Sequence, residues 1–205
     1  MKFGTVGQPL PGIHIRTAED GEILIKGPTV FMGYYGDSDK TRETIDDGWL
    51  LTGDVGEIDP DGHLRITDRI KDIIITAGGK NITPSEIENQ LKFSPYINDA
   101  VVIGDGKKYL TALIMIDDEN VMQYAQDNRV PFTTYASLTQ SDEIIKLIGQ
   151  EVEKVNKQFA RVETIKRFRL IDMMLTTDDE EITPTGKLKR KLVSEKFREL
   201  IESMY

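Results

Sequence analysis

Short apolar runs alternate with longer amphipathic segments from about residue 72 onward, and this alternation limits the folds that the chain can adopt. Strand-like runs lie at 70–76, 99–104, 109–117 and 164–171. The second and third runs are separated by the turn-forming residues 105–108 and predict a pair of strands. We therefore expect a small α+β domain in which a short sheet is flanked by helices.

Helices are predicted between these strands and after the last one. Thr83 and Glu86 have the spacing of a capping box, and Pro84 suits the first helical position, so a helix should begin here. Two further helices are expected at 118–128 and 142–159. A terminal helix should then turn four apolar side chains inward: Leu192, Val193, Leu200 and Ile201.

The first 70 residues are dominated by strand and turn signals. The runs at 13–16 and 22–27 predict strands, and residues 37–47 predict a short polar helix. A hairpin is expected around the Pro-Asp-Gly turn at 60–62. We interpret residues 1–70 as the β-rich C-terminal end of a large domain, with a short arm as the alternative, and residues 71–205 as the small α+β domain. The boundary lies in the charged segment TDRIKD.

Composition excludes several classes of function. The 205 residues carry a formal net charge of −9, which argues against a nucleic-acid binder because such proteins need an extended basic face. The absence of cysteine excludes disulfides, thiolate catalysis and cysteine-ligated zinc. No apolar run approaches the roughly 18 residues of a membrane span. We expect a cytoplasmic protein without a transmembrane segment, and leave peripheral membrane contact and the oligomeric state open.

A basic segment near the C-terminus, EITPTGKLKRKL, is unexpected in an acidic chain. Cations at the start of a helix are disfavoured by about 0.3–1 kcal/mol each, yet four of them crowd the predicted first turn: Lys187, Lys189, Arg190 and Lys191. The Walker phosphate loop is excluded, because Glu181 and Leu188 stand where glycine and serine or threonine are required. Two readings remain: a turn that delivers Lys187 to an anion, or a solvated lysine cluster beside the acidic run DDEE.

Other candidate residues are ambiguous when each is taken alone. Asp54 lies in a Thr-Gly-Asp turn near the only tryptophan. Its carboxylate could accept hydrogen bonds from the hydroxyls of a ribose, or it could be an ordinary hairpin aspartate. Arg69 could pair on the surface with a neighbouring aspartate, Asp68 or Asp72. Gly78-Gly79 could be a turn that requires positive φ. His14 and His63 stand apart from each other and from carboxylate clusters, so we expect no metal site.

Taken in order, the segments GWLLTGDVGEIDPDGHLRITDRIKDIIITAGGKNITPSEIE and PTGKLKRK resemble the adenylate-forming acyl-CoA synthetases, the superfamily that includes luciferases and peptide-synthetase adenylation domains. The resemblance covers nearly the whole chain. The segments TAGGKNITPSEIE and FARVETIKRFRLI are most similar to the long-chain fatty acyl branch. The resemblance implies a ligase that uses ATP, Mg²⁺ and coenzyme A. By this resemblance, a fatty carboxylate would attack ATP to give acyl-adenylate and pyrophosphate, and the thiol of coenzyme A would then displace AMP.

The resemblance also implies a role for each candidate residue. Asp54 would bind the ribose hydroxyls, Arg69 would contact the ribose or the α-phosphate region, and Lys187 would be the catalytic lysine that supports adenylation. Lys71 would be the hinge about which the small domain rotates between the two half-reactions. After that rotation, Gly78-Gly79 would line the tunnel for the pantetheine arm of coenzyme A.

The sequence departs from the family pattern in ways that leave alternatives open. The family's Ser/Thr/Gly-rich phosphate loop and Thr-Glu magnesium motif do not occur in the chain. We therefore expect the C-terminal third of an enzyme, inactive alone, whose N-terminal domain would be its partner and bind Mg²⁺ and the acyl chain. Asp68 replaces a glycine that many members have, and Lys71 replaces an aspartate. The alternatives are a stand-alone nucleotide- or CoA-binding regulatory module, and another adenylate-forming enzyme such as an aryl-CoA ligase or a luciferase-like oxygenase.

Overall fold

The computed structural model describes residues 2–205, which form two compact units, the first ending at residue 73 and the second spanning 74–205. Both helices and several small sheets are present, so the predicted α+β class is confirmed. None of the helices within residues 2–205 is both long and apolar enough to cross a membrane.

The first unit is an antiparallel sheet with one short helix. The elements are β1 (His14–Thr17), β2 (Glu22–Lys26), α1 (Ser38–Thr44), β3 (Ile45–Asp46), β4 (Trp49–Ile58) and β5 (Leu64–Arg69). The strands pair in the order β1-β2-β4-β3, and β5 pairs with the second half of the long strand β4. The predicted hairpin is confirmed, because β4 and β5 are joined by the turn at Asp59–Gly62.

The second unit contains a three-stranded sheet covered by helices. Its elements are β6 (Ile74–Ile75), β7 (Asn81–Ile82), α2 (Pro84–Leu91), β8 (Ile97–Ile103), β9 (Leu110–Ile116), α3 (Asp118–Asp127), α4 (Tyr135–Thr139), α5 (Asp142–Asn156), β10 (Ile165–Leu170), α6 (Arg190–Lys196) and α7 (Arg198–Glu202). In the sheet, β9 lies between β8, which is antiparallel to it, and β10, which is parallel to it. The predicted pairing of the second and third runs is confirmed.

Both faces of this sheet are buried, because the apolar side chains of the central strand point alternately to either side. Ala112, Ile114 and Ile116 pack with α2, α3 and α5 in one cluster. Leu113 and Met115 pack on the other face against α6, α7 and the segment that precedes them. The second face therefore depends on residues 171–204, which include the basic segment.

The predicted strand at 70–76 is wrong as a single element. Residues Ile70–Asp72 form a 3₁₀ turn, and only Ile74–Ile75 are extended, paired with Asn81–Ile82. The strand ends early because the amide of Thr76 donates to the carbonyl of Lys80, which closes a tight turn. Only one isoleucine of the pair is buried, Ile74.

Two predictions for helices also need correction, and one helix was missed. The terminal helix is two short helices that meet at Phe197, and Lys187 and Lys189 precede the first of them. The helix at Pro84 begins as predicted, but the side chain of Thr83 makes no capping hydrogen bond. The short helix α4 was not predicted, because five residues are too few to show a helical period.

Candidate functional site

Asp54 lies at a bulge in β4 rather than in a free turn. The pairing with β2 shifts between Glu22 and Leu24, and Gly53 takes a positive φ of 70° to admit the extra residues. The hydroxyl of Thr52 donates to the carbonyl of Ile23 at 2.7 Å and accepts the Asp54 amide at 3.1 Å. The Thr-Gly-Asp sequence thus fixes the backbone that carries the Asp54 carboxylate.

Arg69 lies opposite Asp54 on the neighbouring strand and binds it. The Nε atom of Arg69 is 2.8 Å from Oδ1 of Asp54, so the ion pair of Arg69 is with Asp54 and not with the neighbouring aspartates that were the alternative. A shift in the register of β4 and β5 between Val55 and Gly56 produces this pair, since an unshifted hairpin would set Asp54 opposite Asp68.

Gly56 is required for this register. A Cβ atom on Gly56 would collide with the carbonyl oxygen of Arg65 on the facing strand. The arginine of the Asp54–Arg69 pair remains more than half exposed, and the carboxylate is partly exposed. The pair is therefore accessible to a ligand with hydroxyl and phosphate groups.

Lys71 lies in the 3₁₀ turn after β5, two residues before the end of the first unit. Its side chain is exposed. Gly78 and Gly79 lie in the second unit, in the turn between β6 and β7. Gly79 has a φ of 75°, so this glycine is needed by the turn itself, whereas a Cβ on Gly78 would meet nothing closer than 3.9 Å.

Lys187 is held at the tip of a tight turn in the second unit. Ile182 and Leu188 form a bridge, and Gly186 takes a φ of 80° at the tip. The Lys187 amide donates to Oγ1 of Thr183 at 3.0 Å, and the Lys187 carbonyl accepts the Thr183 amide at 2.8 Å. The backbone of Lys187 is therefore fixed while its side chain is exposed.

The basic residues around Lys187 differ in their contacts. Lys189 donates to the carbonyl of Glu180 at 2.9 Å. Arg190 binds both carboxylate oxygens of Glu88, at 2.7 and 2.9 Å. Within residues 2–205, the ammonium of Lys187 makes no hydrogen bond or ion pair, and it is available to an anion.

Sequence reasoning missed Arg190 and its partner. The side chain of Glu88 is 11% exposed and that of Arg190 is 25% exposed, so the pair is largely removed from water. The polar Glu88 sits beside the apolar face of α2, one residue after the buried Ile87. The only sign of this pair in the sequence is a glutamate beside the apolar face of a predicted helix, because its partner is 102 residues away.

A small acidic group occurs in the first unit at the β4–β5 turn. Asp59, Asp61 and His63 bring ligand atoms within 4.8 Å of one another, so the expectation that His63 lies apart from carboxylates is wrong. Lys2 binds both carboxylates, at 2.6 and 3.0 Å. Its hydrogen bond is the main reason why the pKa of Asp59 is lowered to about 2. The lysine ammonium thus occupies the place that a cation would take.

The structure therefore joins some of the predicted site residues and leaves others in separate units. Asp54 and Arg69 are in direct contact, and Lys71 follows them in the same unit. Gly78-Gly79 and Lys187 belong to the second unit and lie in two different turns.

Comparison with known sequences finds close relatives among ligases. The chain is 44% identical over 206 residues to a protein of Mycobacterium tuberculosis named long-chain-fatty-acid–CoA ligase FadD15, covering all of this chain and 34% of that protein. It is 35% identical to the long-chain-fatty-acid–CoA ligase ACSBG1 of Rattus norvegicus, covering 97% of this chain and 31% of the relative. The chain thus spans about a third of the length of these relatives.

Solved structures give the same architecture. The adenylation domain of a carboxylate reductase from Mycobacterium chelonae matches 97% of this chain and 31% of that chain, with a TM-score of 0.76 at 24% identity. The o-succinylbenzoate CoA synthetase of Bacillus subtilis, in complex with its acyl-adenylate intermediate, matches 94% of this chain and 36% of that chain. Its TM-score is 0.68 at 25% identity.

The family model described as AMP-binding enzyme C-terminal domain matches residues 71–205. This range contains Lys71, the turn with Gly78-Gly79 and the turn that carries Lys187. By this match and by its whole-length identity with the ligases, the chain belongs to the adenylate-forming enzymes with an AMP-binding C-terminal domain.

Proposed function

We propose that the chain is the C-terminal part of a long-chain fatty acid–CoA ligase, in which residues 71–205 form the mobile small domain and residues 1–70 end the large domain. The observation that carries this proposal is the 44% identity over the whole chain to a long-chain-fatty-acid–CoA ligase. A large N-terminal domain is the proposed partner, because the chain spans only about a third of its relatives, and fatty acid, ATP and coenzyme A are the proposed substrates.

The first half-reaction would join the fatty acid to AMP. The carboxylate oxygen attacks the α-phosphorus of ATP, a P–O bond forms, and the bond to pyrophosphate breaks. Asp54 would accept hydrogen bonds from the ribose hydroxyls, since its carboxylate is partly exposed on a fixed bulge. Arg69 would contact the ribose or the α-phosphate, because its guanidinium is exposed beside Asp54.

Lys187 would supply positive charge to the transferring nucleotide. Negative charge grows on the phosphoryl oxygens in the transition state, and a preorganised cation stabilises it more than it stabilises the substrate. The fixed backbone and free ammonium of Lys187 support this role. Mg²⁺ would neutralise phosphate charge, and we assign its ligands to the large domain, because Lys2 already binds the acidic turn of this chain.

The second half-reaction would transfer the acyl group to coenzyme A. The thiol attacks the acyl carbonyl carbon, the thioester forms, and AMP leaves with its oxygen. Gly78 and Gly79 would line the path of the pantetheine arm. The open space at Gly78 supports this role, because a path for a narrow chain needs a position without a side chain.

The reaction class can be tested by pyrophosphate release with a panel of acids from acetate to long-chain fatty acids. We expect the complete protein, with its large domain, to release pyrophosphate with long-chain acids and form thioester when coenzyme A is added. We expect the 205-residue chain alone to unfold cooperatively yet form no acyl-CoA, because it has no phosphate loop. Acyl-CoA formation by the chain alone would contradict the proposal.

Movement between the half-reactions can be tested at Lys71. Proline there fixes φ near −65°, which suits the 3₁₀ turn and leaves folding intact but restricts rotation. We expect Lys71→Pro to slow one half-reaction at least about tenfold more than the other. Lys71→Ala is the matched control, since it removes the same side chain and leaves φ free. Equal losses in both single-turnover rates would argue against a hinge at Lys71.

A further inference from the structure

The peptide bond that follows Lys187 is tied to the sheet by a buried aspartate. Oδ2 of Asp99 accepts the amide of Leu188 at 3.3 Å, across 89 residues of sequence. Its other oxygen accepts the amide of Ala100 at 2.9 Å. The aspartate is buried on β8, in the sheet that forms the centre of the second unit.

The charge of Asp99 is balanced within the same unit. Nζ of Lys92, at the end of α2, lies 3.3 Å from Oδ1 of Asp99. A buried carboxylate costs free energy unless it is paired and hydrogen-bonded. Asp99 meets both conditions, with one ammonium and two backbone amides around it. These contacts stabilise the buried carboxylate of Asp99 in its position within the second unit.

The hydrogen bond from Leu188 bears directly on Lys187, because the amide belongs to the peptide group between the two residues. Thr183 binds both backbone groups of Lys187: its hydroxyl accepts the Lys187 amide, and its amide donates to the Lys187 carbonyl, which belongs to the same peptide group as the Leu188 amide. Thr183 belongs to the turn itself and would move with it. Asp99 joins this peptide group directly to the sheet.

A second tether lies three residues further along the chain. Arg190 binds the carboxylate of Glu88 on α2 and also donates to the carbonyl of Val102 on β8 at 2.6 Å. The amide of Val102 in turn donates to Glu88 at 2.7 Å. The backbone that follows the Lys187 turn is thus fixed to the same strand that carries Asp99.

We propose that Asp99 is a positioning residue for Lys187: it fixes the peptide after Lys187 to the central sheet, so that the ammonium is presented from a rigid backbone. This inference rests on the proposed function for its catalytic part. Lysine has a flexible side chain, and a small misplacement of a catalytic group can cost about 10²-fold in rate. A carboxylate that does not touch the substrate can therefore affect adenylation through Lys187 alone.

The tether itself can be measured in the 205-residue chain by amide hydrogen exchange. We expect Asp99→Ala to raise the exchange rate of the Leu188 amide at least about tenfold, the scale of one lost hydrogen bond. Asp99→Ser serves if the alanine variant does not fold, because its hydroxyl is too short to reach Leu188. Asp117→Ala is the matched control: it removes an aspartate that accepts the Asn120 amide elsewhere in the unit. Unchanged exchange at Leu188 in the folded Asp99 variants would overturn the inference.

The catalytic part can be measured in the complete enzyme with a double-mutant cycle. We expect Asp99→Ala to slow acyl-adenylate formation about tenfold and to leave thioester formation from supplied acyl-adenylate unchanged. In the Lys187→Ala background the same substitution should cause no further loss, because the two residues act as one unit. An undiminished loss in that background would overturn the positioning role.

The two measurements separate this inference from the proposed function. Faster exchange at Leu188, together with a Lys187→Ala enzyme of normal adenylation rate, would support the tether and overturn the role proposed for Lys187. Slow adenylation by the Lys187→Ala enzyme, together with unchanged exchange at Leu188 in the Asp99 variants, would support the role proposed for Lys187 and overturn the tether.

Discussion

Lys187→Ala is expected to slow acyl-adenylate formation in the complete enzyme by about two to three orders of magnitude, the usual cost of one preorganised donor that stabilises transition-state charge. Thioester formation from supplied acyl-adenylate should change little, because the proposed rotation carries this lysine away before coenzyme A attacks. Single-turnover rates of the two half-reactions measure both effects. The exposed position of Lys187 predicts that folding is unaffected.

The neighbouring lysines provide matched controls for Lys187. Lys191 is exposed, and Lys189 donates only to the carbonyl of Glu180. Substitution of solvated charges usually changes stability by no more than about 0.5 kcal/mol. We therefore expect Lys189→Ala and Lys191→Ala to leave both half-reactions near their original rates. If either is as damaging as Lys187→Ala, or if Lys187→Ala impairs both steps alike, Lys187 has no special role.

Arg190→Ala is expected to destabilise the second unit by about 3 kcal/mol, although it removes a residue of the same basic segment. The substitution would leave the carboxylate of Glu88 largely buried, with the Val102 amide but without its guanidinium, and removing one partner of a buried ion pair typically costs about 3–5 kcal/mol. We take the lower end of this range because a quarter of the Arg190 side chain is exposed and Glu88 keeps its hydrogen bond from Val102. Denaturation of the chain by urea measures the loss as a lower midpoint.

Two variants make the Arg190 experiment specific. Arg190→Lys keeps the charge but loses the planar guanidinium, whose Nη2 binds both oxygens of Glu88 while its Nη1 donates to the carbonyl of Val102, so an intermediate loss is expected. Lys191→Ala removes the next basic residue, which is exposed, and should shift the free energy of unfolding by no more than about 0.5 kcal/mol. An equal effect of Arg190→Ala and Lys191→Ala would show that the buried pair contributes nothing to stability.

These two predictions divide the basic segment by what each side chain contacts. Arg190 joins α6 to α2 and β8, and Lys189 binds a carbonyl of the preceding loop. Lys187 alone of these three keeps an unpaired ammonium within the described residues. The basic side chains at the start of α6 therefore do not form one charged surface, because Lys189 and Arg190 bind different groups of the same unit. The proposed anion site needs only Lys187.

Features with a short sequence range could be predicted from the sequence. The β4–β5 and β8–β9 hairpins and the helices α2, α3 and α5 lie where turn residues and apolar periods indicated them. Each of these elements depends on neighbouring residues, because the apolar period of two residues in a strand or 3.6 in a helix, and the Pro-Asp-Gly turn, are visible within a few positions of the sequence. The motifs likewise identified Asp54, Arg69 and Lys187 as candidates, and their catalytic roles remain predictions.

Contacts between distant residues were decided only by the tertiary structure. A one-residue shift between β4 and β5 set Asp54 opposite Arg69, although periodicity in either strand gives no sign of the bulge. The sheet brought Asp99 to Leu188 and α2 brought Glu88 to Arg190, over 89 and 102 residues. A buried carboxylate is stable only where a partner meets it. The sequence by itself determined most of the local elements and the candidate residues, because both depend on neighbouring positions. Packing decided which charged side chains are buried in pairs, as Glu88 is with Arg190, and which are left exposed, as Lys187 is.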